Sequence, residues 1–163
     1  MVKNTIEINE QFAQALDMIE HSNKHVFVTG KAGTGKSTLL NYFRNHTEKR
    51  VAVLAPTGVA ALNVKGQTIH SFFRFPPHIT PHHVKDAPLA KRLQDVIQCL
   101  AAIVIDEISM VRADLLDCID LSLQRYLRKN QPFGGLQMIF IGDLYQLPPV
   151  VSGKEEGHIF KTH

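Results

Sequence analysis

The sequence is short of cysteine, of net charge and of long apolar runs. Its 163 residues hold two cysteines, Cys99 and Cys118, with no C-x-x-C spacing. That pattern argues against a disulfide framework or a cysteine metal cage, and reads as buried thiols in a reducing compartment. Lys and Arg total 18 against 15 Asp and Glu, a formal charge of +3 with the nine His neutral. So mild a balance permits a nucleic-acid partner without pointing to one. No apolar run approaches the roughly 20 residues that span a bilayer, and the N-terminus lacks a signal-peptide pattern. A cytoplasmic location with no membrane partner is expected. Repeats and low-complexity tracts are also missing. What is left is 44% hydrophobic and 20% charged, an ordinary globular composition, with enough length for one domain and a real core.

The apolar pattern then sets the organisation. Ile8, Phe12, Ala15, Leu16 and Ile19 recur at helical spacing and predict a helix over residues 5–22. Apolar runs at 25–29, 51–55, 101–105 and 137–141 read as strands, separated by helical segments at 37–47, 57–64, 88–98 and 112–129. Two of the runs, Val51–Ala55 and Ala101–Ile105, are apolar on both faces, which favours buried parallel strands. Strand–helix alternation predicts an α/β layer fold with right-handed crossovers. Residues 74–88 carry Pro76, Pro77, Pro81 and Pro88 and read as a long irregular surface connection. His78, His82 and His83 lie in it, with His70 just before. No cysteine accompanies them, so a solvated loop is expected there, not a metal site. Lys85, Lys91 and Arg92 add positive charge to the same stretch. Arg125, Arg128 and Lys129 fall in the last turns of a helix, where cations complement the dipole.

The chemistry begins at Gly30-Lys31-Ala32-Gly33-Thr34-Gly35-Lys36-Ser37, which fits G-x-x-x-x-G-K-[ST] at every fixed position. An apolar strand precedes it and a helix-forming segment comes after it, the context of a phosphate loop. Glycines let successive N–H groups turn inward around phosphate oxygens, and the next helix adds its positive end. Gly30, Ala32, Gly33, Thr34, Gly35, Lys36, Ser37 and Thr38 are the expected nucleotide cradle. Lys36 would reach the β- and γ-phosphates of ATP, and the Ser37 hydroxyl would ligate Mg²⁺.

A second site arises from the run at 101–105, which ends in Asp106-Glu107. At the carboxyl end of a core strand, Asp106 can hold Mg²⁺ beside Ser37. Glu107 can then orient and deprotonate an attacking water. A helix cap with an acidic first turn is the competing structural explanation, since Ser109 and Asp114 lie near a helix start. The phosphate loop upstream favours the catalytic one.

Three further stretches complete a pattern: Ala55-Pro56-Thr57-Gly58-Val59-Ala60-Ala61-Leu62-Asn63, running into Gly66-Gln67-Thr68-Ile69-His70-Ser71-Phe72-Phe73; Phe133-Gly134-Gly135-Leu136-Gln137; and Gly142-Asp143-Leu144-Tyr145-Gln146-Leu147-Pro148-Pro149-Val150. With the phosphate loop and Ile105-Asp106-Glu107-Ile108-Ser109-Met110, they resemble the petite-integration-frequency (Pif) helicases, 5′-to-3′ DNA helicases of superfamily 1, across residues 25–151. The resemblance implies a RecA-like fold, with strand 25–29 beside 137–141, then 101–105, then 51–55. It implies ATP hydrolysis, single-stranded DNA as partner and work in DNA repair and recombination. By that resemblance Pro56, Thr57, Gly58, Thr68, His70, Ser71 and Phe72 face DNA, with Phe72 able to stack on a base; one of Phe72 and Phe73 is expected in the core. Gln146 resembles a γ-phosphate sensor, its amide able both to donate and to accept. Gln11 and Gln14 are both candidates for reading adenine.

These helicases continue into a second motor domain that supplies arginines to the nucleotide. Residues 1–163 therefore read as the first RecA-like motor domain alone: an N-terminal helical stretch to residue 24, the ATPase core at 25–151, and the truncated start of the next segment at 152–163. Such a fragment is expected to be a weak ATPase; its oligomeric state is left open. Two other classes fit the phosphate loop: an ATPase acting on protein partners, and a module that holds ATP and DNA without useful turnover.

Overall fold

A computed structural model of the chain describes residues 9–146, 148 and 149. The expectations for residues 5–8, including Ile8, and for the 152–163 segment lie outside the described residues. Helix α1 (Glu10–His21) starts where Asn9 caps it, its side chain accepting from the Phe12 N–H at 2.8 Å. Then come β1 (Val26–Thr29), α2 (Lys36–His46), β2 (Val51–Ala55), α3 (Gly58–Asn63), β3 (Gln67–Thr68), α4 (Ile69–Phe73), α5 (Pro81–Asp86), α6 (Lys91–Cys99), β4 (Ala102–Ile105), α7 (Ala113–Leu127) and β5 (Gln137–Gly142). A 3-10 turn over Ile108–Met110 links β4 to α7.

The strands form one sheet in the order β1-β5-β4-β2-β3, every neighbouring pair parallel. The four longer strands lie in the order that the resemblance implies. Two-residue β3 and short α4, absent from the sequence reading, extend the edge. All four residues of β4 are buried, as a central strand covered on both faces must be. Its side chains alternate: Ala102 and Val104 join Val26, Val53, Ile139 and Ile141 under Leu40, Phe43 and Ile19, on the side of α1 and α2. Ile103 and Ile105 join Leu54 and Met138 under Ile97, Ile119 and Leu123, on the side of α6 and α7. Burying each such Ile or Leu contributes about 1.5–3 kcal/mol.

Lys49 ties the first helix to the bottom of the sheet. Its ammonium donates to the Ile19 carbonyl (2.6 Å), the Ser22 carbonyl (2.9 Å) and Gln137 Oε1 (2.9 Å), and Gln137 Nε2 donates to the Lys24 carbonyl. Burial holds the Lys49 pKa below its usual value, against the opposing pull of Glu20.

Two sequence expectations are corrected. The 74–88 connection is not irregular surface throughout. Thr80 caps α5, accepting from the His83 N–H, and Pro81 occupies its first turn, a start signal that the proline count obscured. Ile79 and Val84 are buried against Cys118 of α7. Arg125 of α7 donates to the Val84 carbonyl and, at 2.8 Å, to that of Ala87, strapping α5 down. Its task is thus specific, beyond complementing a helix dipole. The cysteines also differ from expectation: Cys118 is buried but Cys99 is exposed at the end of α6. Burial, with Asp114 and Asp117 nearby, pushes the Cys118 thiol up to about 12.

Candidate nucleotide and nucleic-acid site

Because all strands are parallel, their carboxyl ends share one rim, and strand order fixes who stands beside whom. Along it lie the loop after β1 (30–35), the loop after β5 (143–146), the Asp106-Glu107 turn after β4, the Pro56-Thr57 turn after β2 and α4 after β3.

The loop after β1 is shaped by its glycines. Gly33 and Gly35 have φ of +80° and +92°, a region that side chains other than glycine's rarely tolerate. Gly35 is also the N-cap of α2, so the inversion aims the loop into the helix start. Thr34 Oγ1 donates to the Lys31 carbonyl at 2.8 Å and tightens the turn. The Lys36 ammonium lies back along the loop, donating to the carbonyls of Gly30 (2.5 Å) and Lys31 (3.0 Å). Ala32, Ser37 and Thr38 stand exposed at the loop and helix start.

Asp106 is 9% exposed at the tip of β4. Burial raises its pKa; the adjacent Glu107 charge raises it further, while the Glu107 backbone N–H and the Lys36 charge pull it down. The Lys36 influence places Asp106 within electrostatic reach of the phosphate loop. A hydroxyl at Ser37 and a desolvated carboxylate at Asp106 are hard oxygen donors that suit Mg²⁺. Glu107 has φ +52° and ψ +44°. A left-handed non-glycine residue costs on the order of 1–3 kcal/mol and persists where its surroundings impose it. The turn beyond it presses on the end of β5: a Cβ added at Gly142 would lie 2.9 Å from Ile108 Cγ2 and 3.1 Å from the Ile108 nitrogen. Glycine there permits the two segments to touch.

Gln146 lies just beyond β5, and its amide Nε2 donates to Asp143 Oδ2 at 3.1 Å. Asp143, 5% exposed, also accepts from the Tyr145 N–H at 3.0 Å. Sequence reasoning missed this carboxylate, although Gly-Asp two residues before an exposed Tyr-Gln is a recognisable turn signal. On the far side of the phosphate loop, a cavity of about 490 Å³ is lined by Gln11, Phe12, Gln14, Met18, Thr34, Gly35 and Lys36. Both adenine-reading candidates border it.

On the β2–β3 side, Thr57 Oγ1 accepts from the Ala60 N–H and Thr68 Oγ1 from the Ser71 N–H. Both threonines cap the short helices that they open, which holds Gly58, exposed, and Ser71, also exposed, at the rim. Phe73 is the core residue of its pair, 4% exposed. Phe72 is half-buried with its ring edge-on to Phe73 at 5.0 Å. His70 borders a cavity of about 240 Å³ with Pro56, Thr57, Met110 and Arg112. Burial, then the Arg112 charge, lowers the His70 pKa.

A phosphate loop, an acidic pair and a polar amide on the rim of a parallel five-stranded sheet define a P-loop domain of RecA-like fold. The chain belongs to the PIF1-like helicases: the family's model matches residues 5–163. It is 38% identical over 148 residues to ATP-dependent DNA helicase Pif1 of Psychrobacter sp. (strain PRwf-1), covering 88% of this chain and 22% of that protein. To the PIF1 helicase of Saccharomyces cerevisiae it is 37% identical over 156 residues, covering 91% of this chain and 18% of that one. The crystal structure of a Bacteroides Pif1 helicase in complex with ADP-AlF3 and single-stranded DNA superposes with a TM-score of 0.90 at 39% identity, over 98% of this chain and 37% of that one. The chain thus spans about a fifth of the curated relatives' length.

Proposed function

We propose that this chain is the ATP-hydrolysing first motor domain of a DNA helicase that moves 5′-to-3′ on single-stranded DNA. A second motor domain in the same full-length protein completes its nucleotide site. The strand order carries the reading. It sets the phosphate loop, Gln146 and Asp106-Glu107 on three adjacent strands, and the Pro56–Phe72 motifs on the next two. The Bacteroides relative bound to ADP-AlF3 and single-stranded DNA supports both halves.

In this reading Lys36 leaves its loop carbonyls for the β- and γ-phosphates, and the loop N–H groups hold the remaining oxygens. Ser37 and Asp106 would hold Mg²⁺, which supplies Lewis-acid charge at the phosphates. Glu107 orients the in-line water and takes its proton. Gln146 turns from Asp143 to the γ-phosphate and the water. Pro56, Thr57, Gly58, Thr68, His70, Ser71 and Phe72 bear on the DNA.

The test is ATP turnover and unwinding of a 5′-tailed duplex by the complete protein, with and without single-stranded DNA. Glu107→Gln should bind ATP within a few-fold of wild type and lose about 10²–10⁴ in turnover. Turnover surviving within a few-fold would move the base role elsewhere, Gln146 first. Residues 1–163 alone should hydrolyse slowly and unwind nothing, since arginines supplied from outside such a site are worth about 10³–10⁵. Unwinding by the isolated chain would refute the need for a second domain.

A further inference from the structure

We propose that Ser109 is a positioning residue of the nucleotide site: its hydroxyl takes over the Asp143 carboxylate when Gln146 leaves it for the γ-phosphate, and so ties the turn that carries Glu107 to the loop that carries Gln146. The inference rests on the ATPase reading of Glu107 and Gln146 and adds to it a residue that the reading does not use.

Ser109 lies two residues beyond Glu107, in the 3-10 turn over Ile108–Met110. It is 8% exposed. Among the described residues, its Oγ is the one buried side-chain oxygen or nitrogen without a hydrogen-bond partner. A buried hydroxyl left unpaired weakens the fold, and each such group calls for an explanation. Alanine would occupy the same space without that cost.

The explanation lies across the junction of β4 and β5. Ile105 pairs with Phe140, which brings the turn after β4 level with the end of β5. A Cβ added at Gly142 would lie 3.3 Å from the Ser109 nitrogen, and Asp143 is the next residue. Asp143 is itself buried, and its Oδ1 accepts from the Tyr145 N–H while its Oδ2 accepts from Gln146 Nε2. When Gln146 turns to the γ-phosphate, a buried carboxylate loses one of these two donors. That loss is greater for an ion than for a neutral acceptor. The Ser109 hydroxyl is a donor with no competing partner on the neighbouring segment, and rotation of the side chain re-aims it. The exchange balances: one donor leaves Oδ2 and another replaces it. The turn and the loop are then bonded through side chains only while nucleotide is held. Glu107, in its left-handed posture, is thereby fixed when its carboxylate is needed.

Two measurements on the complete protein test this: amide exchange over residues 106–112, and ATP turnover with single-stranded DNA. Ser109→Ala should keep the KM for ATP within a few-fold and lower kcat roughly 10- to 100-fold, the worth of one hydrogen bond to an ion. Without nucleotide it should leave exchange over 106–112 nearly unchanged, since its hydroxyl has no partner to lose. Gln146→Ala vacates Asp143 permanently, so exchange over 106–112 should slow about 10-fold or more even without nucleotide. Adding Ser109→Ala to that variant should abolish the slowing. A buried water on Ser109 would instead make Ser109→Ala act equally with and without Gln146, and that result overturns the proposal. The Gln146→Ala arm leaves Ser109 intact, so it stands even if Ser109→Ala fails to fold. Glu107→Gln separates the two levels. If it keeps wild-type turnover, the ATPase reading of the acidic pair fails. If it loses turnover while Ser109→Ala keeps it, or while Gln146→Ala leaves exchange unchanged, the assignment of Ser109 is overturned and the ATPase reading survives.

Discussion

At the scale of single residues, Lys36 sits in an exchange of hydrogen bonds. Its ammonium is satisfied by the Gly30 and Lys31 carbonyls, so phosphates must compete for it. Hydrogen bonds to charged groups contribute about 1.5–3 kcal/mol, and the exchange offsets part of that gain. Lys36→Ala should therefore weaken Mg²⁺-ATP binding by about 10-fold or somewhat more, read by calorimetry; equal affinity would remove Lys36 from the phosphate site. Asp106 gives a prediction in pH. Its folded-state pKa is raised, so the folded chain keeps the proton to higher pH than the unfolded chain. The stability from this group is full below the ordinary aspartate range and is lost as pH rises through the raised value. Thermal scans near neutral pH should show Asp106→Asn melting higher than wild type without nucleotide, and gaining less from Mg²⁺-ADP. A lower melting point for Asp106→Asn would mean that the carboxylate is stabilised by its neighbours more than burial penalises it.

At the scale of elements, legibility depended on how local the signal was. The phosphate loop could be read because its glycines, lysine and serine act within eight consecutive residues. Strands such as Ala102–Ile105 could be read because burial on both faces leaves an unbroken apolar run. Helix α5 was hidden: four prolines suggested irregular chain, while its stability comes from Cys118 and Arg125, far along the sequence. The left-handed Glu107 and the Gly142 contact were equally hidden, for each depends on two strands lying side by side. The identity of Asp106 and Glu107 was in the sequence; their posture was not. Removing the Arg125 strap tests how α5 is held. Arg125→Ala leaves the Val84 and Ala87 carbonyls without their guanidinium partner and should cost about 1–3 kcal/mol. Amide exchange over 81–86 should accelerate more than over β4. Uniform acceleration would show that α5 has no separate stability.

At the scale of the whole molecule, the sheet joins residues that are made far apart in time. Val26 of β1 pairs with Ile139 of β5, and β1 lies at the edge, so β5 is its single neighbour among the described strands. A ribosome delivers the phosphate loop early and the strand that anchors it more than a hundred residues later. Until β5 emerges, the loop's leading strand has nowhere to dock, and topologies with such distant pairings fold slowly. Nucleotide binding should thus be a late event in the life of a nascent domain, whatever the loop's own sequence. A chain ended at Asn130 keeps every residue of the loop and lacks β5. It should show no binding of a fluorescent ADP analogue, and binding close to that of residues 1–163 would mean that the cradle assembles without its neighbour. If that truncation fails to bind, the order of strands works as a clock as well as a map: the cell meets a polypeptide able to grip ATP only after β5 has been synthesised.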